Sequence, residues 1–103
     1  MLSEGQIEFN FQKAIRQASK LEQIAAEIER AVSADIAQSM QMLGSGWRGQ
    51  SADAFLAKEE KALANMRNMS STLSGLASGI RQSARTIYQA EMEAIRLAQT
   101  RDT

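Results

Sequence analysis

Three of the six glycines in this proline-free chain fall in one short run near its midpoint, Gly44-Ser45-Gly46-Trp47-Arg48-Gly49. Glycine accepts backbone angles that other residues avoid, so such a run can reverse the chain tightly. Without proline, little else stops a helix, and the remaining 103-residue sequence is dominated by Ala, Leu, Ile, Met, Gln, Glu, Lys and Arg. These are mostly strong helix formers. Two long helices and one bend are the architecture this distribution allows. The single Trp sits inside the bend, where an indole is costly to expose and large enough to anchor an interface.

The apolar pattern predicts a first helix over 10–43. Asn10 is the expected N-cap, with Phe9 and Ala14 as a weak hydrophobic staple, and Ile7 to Phe11 alternates like a short extended arm. A competing start lies at Ser3 and Gln6, which have capping-box spacing but enclose Gly5. Phe11, Ala14, Ala18, Leu21, Ala25, Ile28 and Val32 then step by three and four, and Ile36, Met40 and Leu43 extend the row. This is a coiled-coil-like seam. Gly44 stands where a C-cap is expected.

Residues 44–50 form the turn, and Ser51 is the expected cap of a second helix over 51–99, with Asp53 suiting its positive end. Its apolar row reads Phe55, Ala62, Met66, Met69, Leu73, Leu76, Ile80, Ala84, Ile87 and Ala94, with Glu59 interrupting in phase. Residues 100–103 are expected to fray. Gly75 and Gly79 lie in a serine-rich stretch that reads either as a soft segment or as a surface for another helix.

Folding at the glycines brings Leu43 near Phe55, Val32 near Met66, Leu21 near Leu76 and Phe11 near Ile87. The expectation is one all-α domain over 1–103, an antiparallel two-helix hairpin. The expected core positions of the hairpin or of its dimer are Leu21, Ile28, Val32, Phe55, Met66, Leu73, Leu76 and Ile80. One seam leaves much of each row wet. Ile15, Ile24, Leu56 and Leu63 widen the apolar surface, so a second hairpin would complete a four-helix bundle. From about Tyr88 the second helix is expected to project beyond the first.

Zero formal net charge argues against nucleic-acid binding, and Lys13, Arg16 and Lys20 read as an ordinary solvated ridge. With no Cys and no His, disulfides, zinc-type sites and histidine acid–base chemistry are set aside. No cofactor, metal or catalytic residue is expected, because Glu59 is the only candidate buried acid and has no nucleophile–base pair nearby. No apolar run approaches the ~20 residues of a membrane span, and the first twenty residues lack an apolar leader segment. Synthesis in the cytoplasm is expected, with any export using a route that reads no cleavable leader.

The length near one hundred residues, the two long helices and the central Trp47-Arg48-Gly49 resemble the WXG (Trp-X-Gly) family of ESAT-like type VII (ESX) secretion substrates. Ser51, Ala52 and Phe55 also match, and the resemblance covers nearly the whole chain. It implies a secreted, non-enzymatic interaction protein, exported as a folded dimer, with itself or a WXG-like paralogue as partner. A larger effector as co-export partner and the secretion ATPase as reader are further implied. In the family, the Trp-X-Gly turn and a Tyr-x-x-x-Asp/Glu tail form the export signal. Trp47 and Gly49 match outright, but Tyr88 is followed four residues later by Met92, with Glu91 and Glu93 alongside. Tyr88 and Glu91 are therefore a degenerate tail signal, or a partner chain supplies one, or Tyr88 is an amphipathic residue beside the seam. Trp47 reads as a plug at the end of the hairpin, as a contact for export machinery, or as both. The alternative function is a cytosolic helical adaptor that chaperones a toxin's helical domain.

Overall fold

The structure, a computed structural model, describes residues 2–44, 46 and 48–101. Two helices account for nearly all of them, α1 over Glu4–Gly44 and α2 over Gln50–Arg101. They run antiparallel as an all-α helical hairpin, and their contacts divide into two units. One combines residues 1–22 with 75–103; the other comprises 23–74.

Helix α1 begins six residues before the expected Asn10. Ser3 is the cap: the Gln6 N–H donates to Ser3 Oγ at 3.2 Å, and the Ser3 N–H donates to Gln6 Oε1 at 2.9 Å. This reciprocal pair satisfies two donors that a helix start leaves orphaned, which offsets the presence of Gly5 in the first turn. The supposed extended arm is therefore helical, and Ile7 is buried. Helix α2 begins at Gln50 rather than Ser51. The Gly49 carbonyl accepts the Asp53 N–H at 3.1 Å, so Gly49 occupies the cap position.

In α1 the seam runs as expected from Phe11 to Val32, with every one of those seven residues buried or half-buried. Met40 departs from it at 66% exposure, and Ser39 faces inward instead, donating to Glu59 Oε1 at 2.7 Å. In α2 the inward row is Leu56, Leu63, Ser70, Ala77 and Ala84, spaced seven apart, with Met66, Leu73 and Ile80 beside it. Apart from Ile7 and Val32, the buried positions are small: Ala18, Ala25, Ala52, Ser70, Ala77 and Ala84. Small residues at a seam let two helix backbones come close, and a larger side chain there would force them apart.

Ser70 fits this pattern. Its hydroxyl donates across to the Ala25 carbonyl at 3.1 Å, so the one buried polar side chain among the described residues is satisfied. In the unit holding both chain ends, Phe11 meets Tyr88, one residue from the expected Ile87. Arg81 there forks onto the Glu22 carboxylate and also donates to Ser19 Oγ at 3.0 Å. The exposed pair holds Glu22 below and Arg81 above their ordinary pKa values, chiefly through that hydrogen bond.

Candidate interaction surface

The bend is shaped by two glycines. Gly46 has φ of 91° and Gly49 has φ of 107°, both in the region that L side chains avoid. The last turn of α1 is closed at the Leu43 carbonyl, which accepts the Gly46 N–H at 3.1 Å and Arg48 Nη1 at 3.0 Å. Trp47 and Ser45, between these fixed points, lie outside the described residues, and with them the reading of the indole as a plug. Asp102 and Thr103 of the expected frayed tail lie outside as well, whereas Thr100 and Arg101 are helical.

Tyr88 is half-buried rather than projecting. Its ring centroid lies 4.9 Å from that of Phe11, tilted by 44°. The phenol is held above its ordinary pKa, first by a hydrogen bond to the Glu8 carboxylate and then by the charges of Glu8 and Glu4. Glu8 in turn accepts from Gln12 Nε2 at 3.1 Å. Glu91 is half-buried beside an open cleft of about 160 Å³ that also takes in Ile7, Phe11 and Tyr88. The expected overhang from Tyr88 is absent among the described residues, because the early start of α1 covers it. Leu2 and Ser3 share a surface cleft with Ile95, Ala98 and Gln99.

Because Tyr88 is the only tyrosine, alkaline titration of its ultraviolet absorbance reads this contact directly. The midpoint is expected above that of a free phenol, and Glu8→Gln is expected to lower it. A raised folded value means that the neutral phenol stabilises the fold below the ordinary tyrosine pKa. That contribution is lost as pH rises through the folded value. A midpoint indifferent to Glu8→Gln would refute the contact.

Of the expected core positions, Leu21, Ile28, Met66, Leu73 and Ile80 are half-buried on the inward faces and Val32 is fully buried. Phe55 and Leu76 lie on an outer row of the single hairpin, at 36% and 53% exposure. They share heptad spacing with Ala62 and Met69, one position outward from the true seam. Met69, Leu76 and Ile87 are each more than half exposed. On the opposite flank of α2, Glu60, Arg67, Ser74 and Arg81 repeat every seven residues and are polar throughout. The helix thus has one apolar flank and one polar flank. No helix among the described residues is long and apolar enough to cross a membrane.

Two long antiparallel helices and a glycine-shaped reversal define a small helical-hairpin protein. The chain belongs to the WXG100 family, proteins of 100 residues with WXG, whose family model matches residues 6–92. Its members are small helical proteins associated with type VII secretion, generally non-enzymatic and commonly paired with WXG-like partners. No curated protein and no solved structure matches the chain.

Proposed function

We propose that this protein is a non-enzymatic type VII secretion substrate, exported as a folded homodimer and available as a co-export partner for a larger effector. The observation that carries the reading is the WXG100 family match over residues 6–92, together with Gly49, the glycine of the Trp47-Arg48-Gly49 sequence, held at φ of 107° between two long helices. Trp47 and Gly49 are the assigned export motif, and the secretion ATPase is the assigned reader. Tyr88 and Glu91 form the accompanying tail surface, presented on the hairpin rather than on a free end.

The surface area supports the dimer. The chain exposes 7588 Å² at 11.3 kDa, whereas a compact monomer of that mass exposes about 5,700 Å². The excess, doubled for two copies, is about 3,700 Å², within the range buried by obligate homodimers. Four-helix packing would cover it.

Trp47→Ala tests the export role. In a secretion-competent host the variant is expected to vanish from the medium while accumulating in lysates, with the helical circular dichroism of the purified chain unchanged. Unimpaired export of the variant would remove Trp47 from the signal. Wild-type protein confined to lysates would favour the cytosolic adaptor.

A further inference from the structure

We infer that the part of the hairpin next to the bend opens by itself: residues 33–44 and 50–69 part and reclose while the packing beyond Val32 and Ser70 holds. Opening uncovers apolar side chains close to the bend that carries the Trp47-Arg48-Gly49 sequence. That consequence for export rests on the secretion reading above, whereas the opening itself does not.

Packing in the unit over 23–74 is uneven. Ala25, Val32 and Ser70 are buried at one end of it, where the Ser70 hydroxyl donates to the Ala25 carbonyl at 3.1 Å. From 33 to 51 and from 53 to 69, none of the described residues is buried, and Ala52 at the start of α2 is the exception between them. The inward positions Ile36, Leu43, Leu56, Leu63 and Met66 are only half-buried. A segment with few buried apolar contacts opens at a lower free energy than the whole fold. The unit holding both chain ends is built differently, with Ile7, Ala18, Ala77 and Ala84 buried along it and Phe11 against Tyr88.

The loose packing has a chemical cause. Ser39 and Glu59 occupy inward positions there, and their 2.7 Å hydrogen bond stands among Ile36, Leu43, Leu56 and Leu63 in an open cleft of about 250 Å³. A carboxylate has about four acceptor positions, and Ser39 is the one donor that meets Glu59 among the described residues. The other positions must face water, because a dry, unpaired carboxylate is strongly disfavoured. Water is therefore admitted between the helices at this level, and the apolar side chains around the pair cannot close as they do at Val32. Parting the helices costs little further burial here. It frees Ile36, Leu43, Leu56 and Leu63, all within a few turns of the bend. A protein that binds those side chains selects the open form, while the closed form withholds them from other partners.

Native-state hydrogen exchange on the full chain reads the opening residue by residue. Amides over 36–43 and 54–66 are expected to exchange as one group, about tenfold faster or more than those over 18–32 and 77–88. The double variant Ser39→Ala with Glu59→Leu removes the polar pair. In it, the first group is expected to slow by about tenfold while the second keeps its rates. Equal protection of the two groups in the parent chain would overturn the inference. So would fast exchange confined to the few residues flanking the bend, which is ordinary fraying of helix ends. A double variant whose first group exchanges as fast as the parent's would remove the cause assigned to Ser39 and Glu59, and the inference with it. Exchange also separates this from the secretion reading: grouped opening in a chain that is never exported sustains the inference and removes only its consequence for export.

Discussion

Val32→Asp is expected to unfold most of the hairpin at room temperature, or to lower its melting temperature by roughly 20 °C. Among the described residues Val32 is the largest fully buried side chain, at 1% exposure, and the other buried residues include five alanines. Alanine burial returns only about 0.8 kcal/mol per carbon, so this layer has little reserve. A carboxylate at position 32 loses the apolar burial of valine and is left desolvated. An uncompensated buried charge costs about 3–5 kcal/mol, a large fraction of the ~5–15 kcal/mol that stabilises an ordinary domain. Ser33→Asp, one residue on and exposed, is the control and is expected within about 0.5 kcal/mol of the parent. Thermal denaturation followed by circular dichroism reads both. Near-equal melting of the two variants would show that Val32 is not in a seam at all.

How far the fold was legible depended on which residues carried the contact. In α1, large and small apolar residues alternate along one row, and Phe11 to Val32 could be read directly. In α2 the expected row did include the inward Met66, Leu73, Ile80 and Ala84, but it left out Ser70 and Ala77, whose small side chains give little hydropathy signal. The bulkier Met69 and Leu76 sit one position outward, and weighting by size drew the expected row toward them. The seven-residue spacing of Leu56, Leu63, Ser70, Ala77 and Ala84 was in the sequence, but it becomes visible only if small residues are counted as close-contact positions.

The start of α1 turned on a balance of similar magnitudes. Gly5 in a helix costs about 1 kcal/mol, and the two reciprocal bonds between Ser3 and Gln6 outweigh it. That one difference also removed the projecting tail, since the added turns of α1 reach the far part of α2. Tyr88 was visible as a candidate, but its partners Glu8 and Phe11 lie at the other end of the sequence. No local pattern announces such a contact. The bend was the reverse case: a glycine run permits backbone angles that other residues avoid, so the reversal over residues 44–50 could be read locally.

Gly49→Ala and Gly75→Ala are expected to change stability in opposite directions, although both replace glycine by alanine in places with room for a methyl group. A Cβ built at either position meets nothing within 4 Å, so steric contact with neighbours does not separate them. The backbone does. Gly49 has φ of 107°, where an L residue is strained by about 1–3 kcal/mol. Gly75 lies inside α2 with no positive φ, and alanine there gains about 1 kcal/mol of helix propensity. Gly49→Ala should therefore melt on the order of 10 °C lower, and Gly75→Ala a few degrees higher. Strain at Gly49 also acts where the helix cap is set, because its carbonyl receives the Asp53 N–H. Relaxing φ would turn that carbonyl away, so α2 should lose its first turn as well as its angle of departure. A chain carrying D-alanine at position 49, which favours positive φ, is expected to recover the loss. If Gly49→Ala melts at or above the parent while D-alanine brings no gain, the bend does not depend on the handedness of this one residue, and the glycine of Trp-X-Gly would then have to be explained by what reads it.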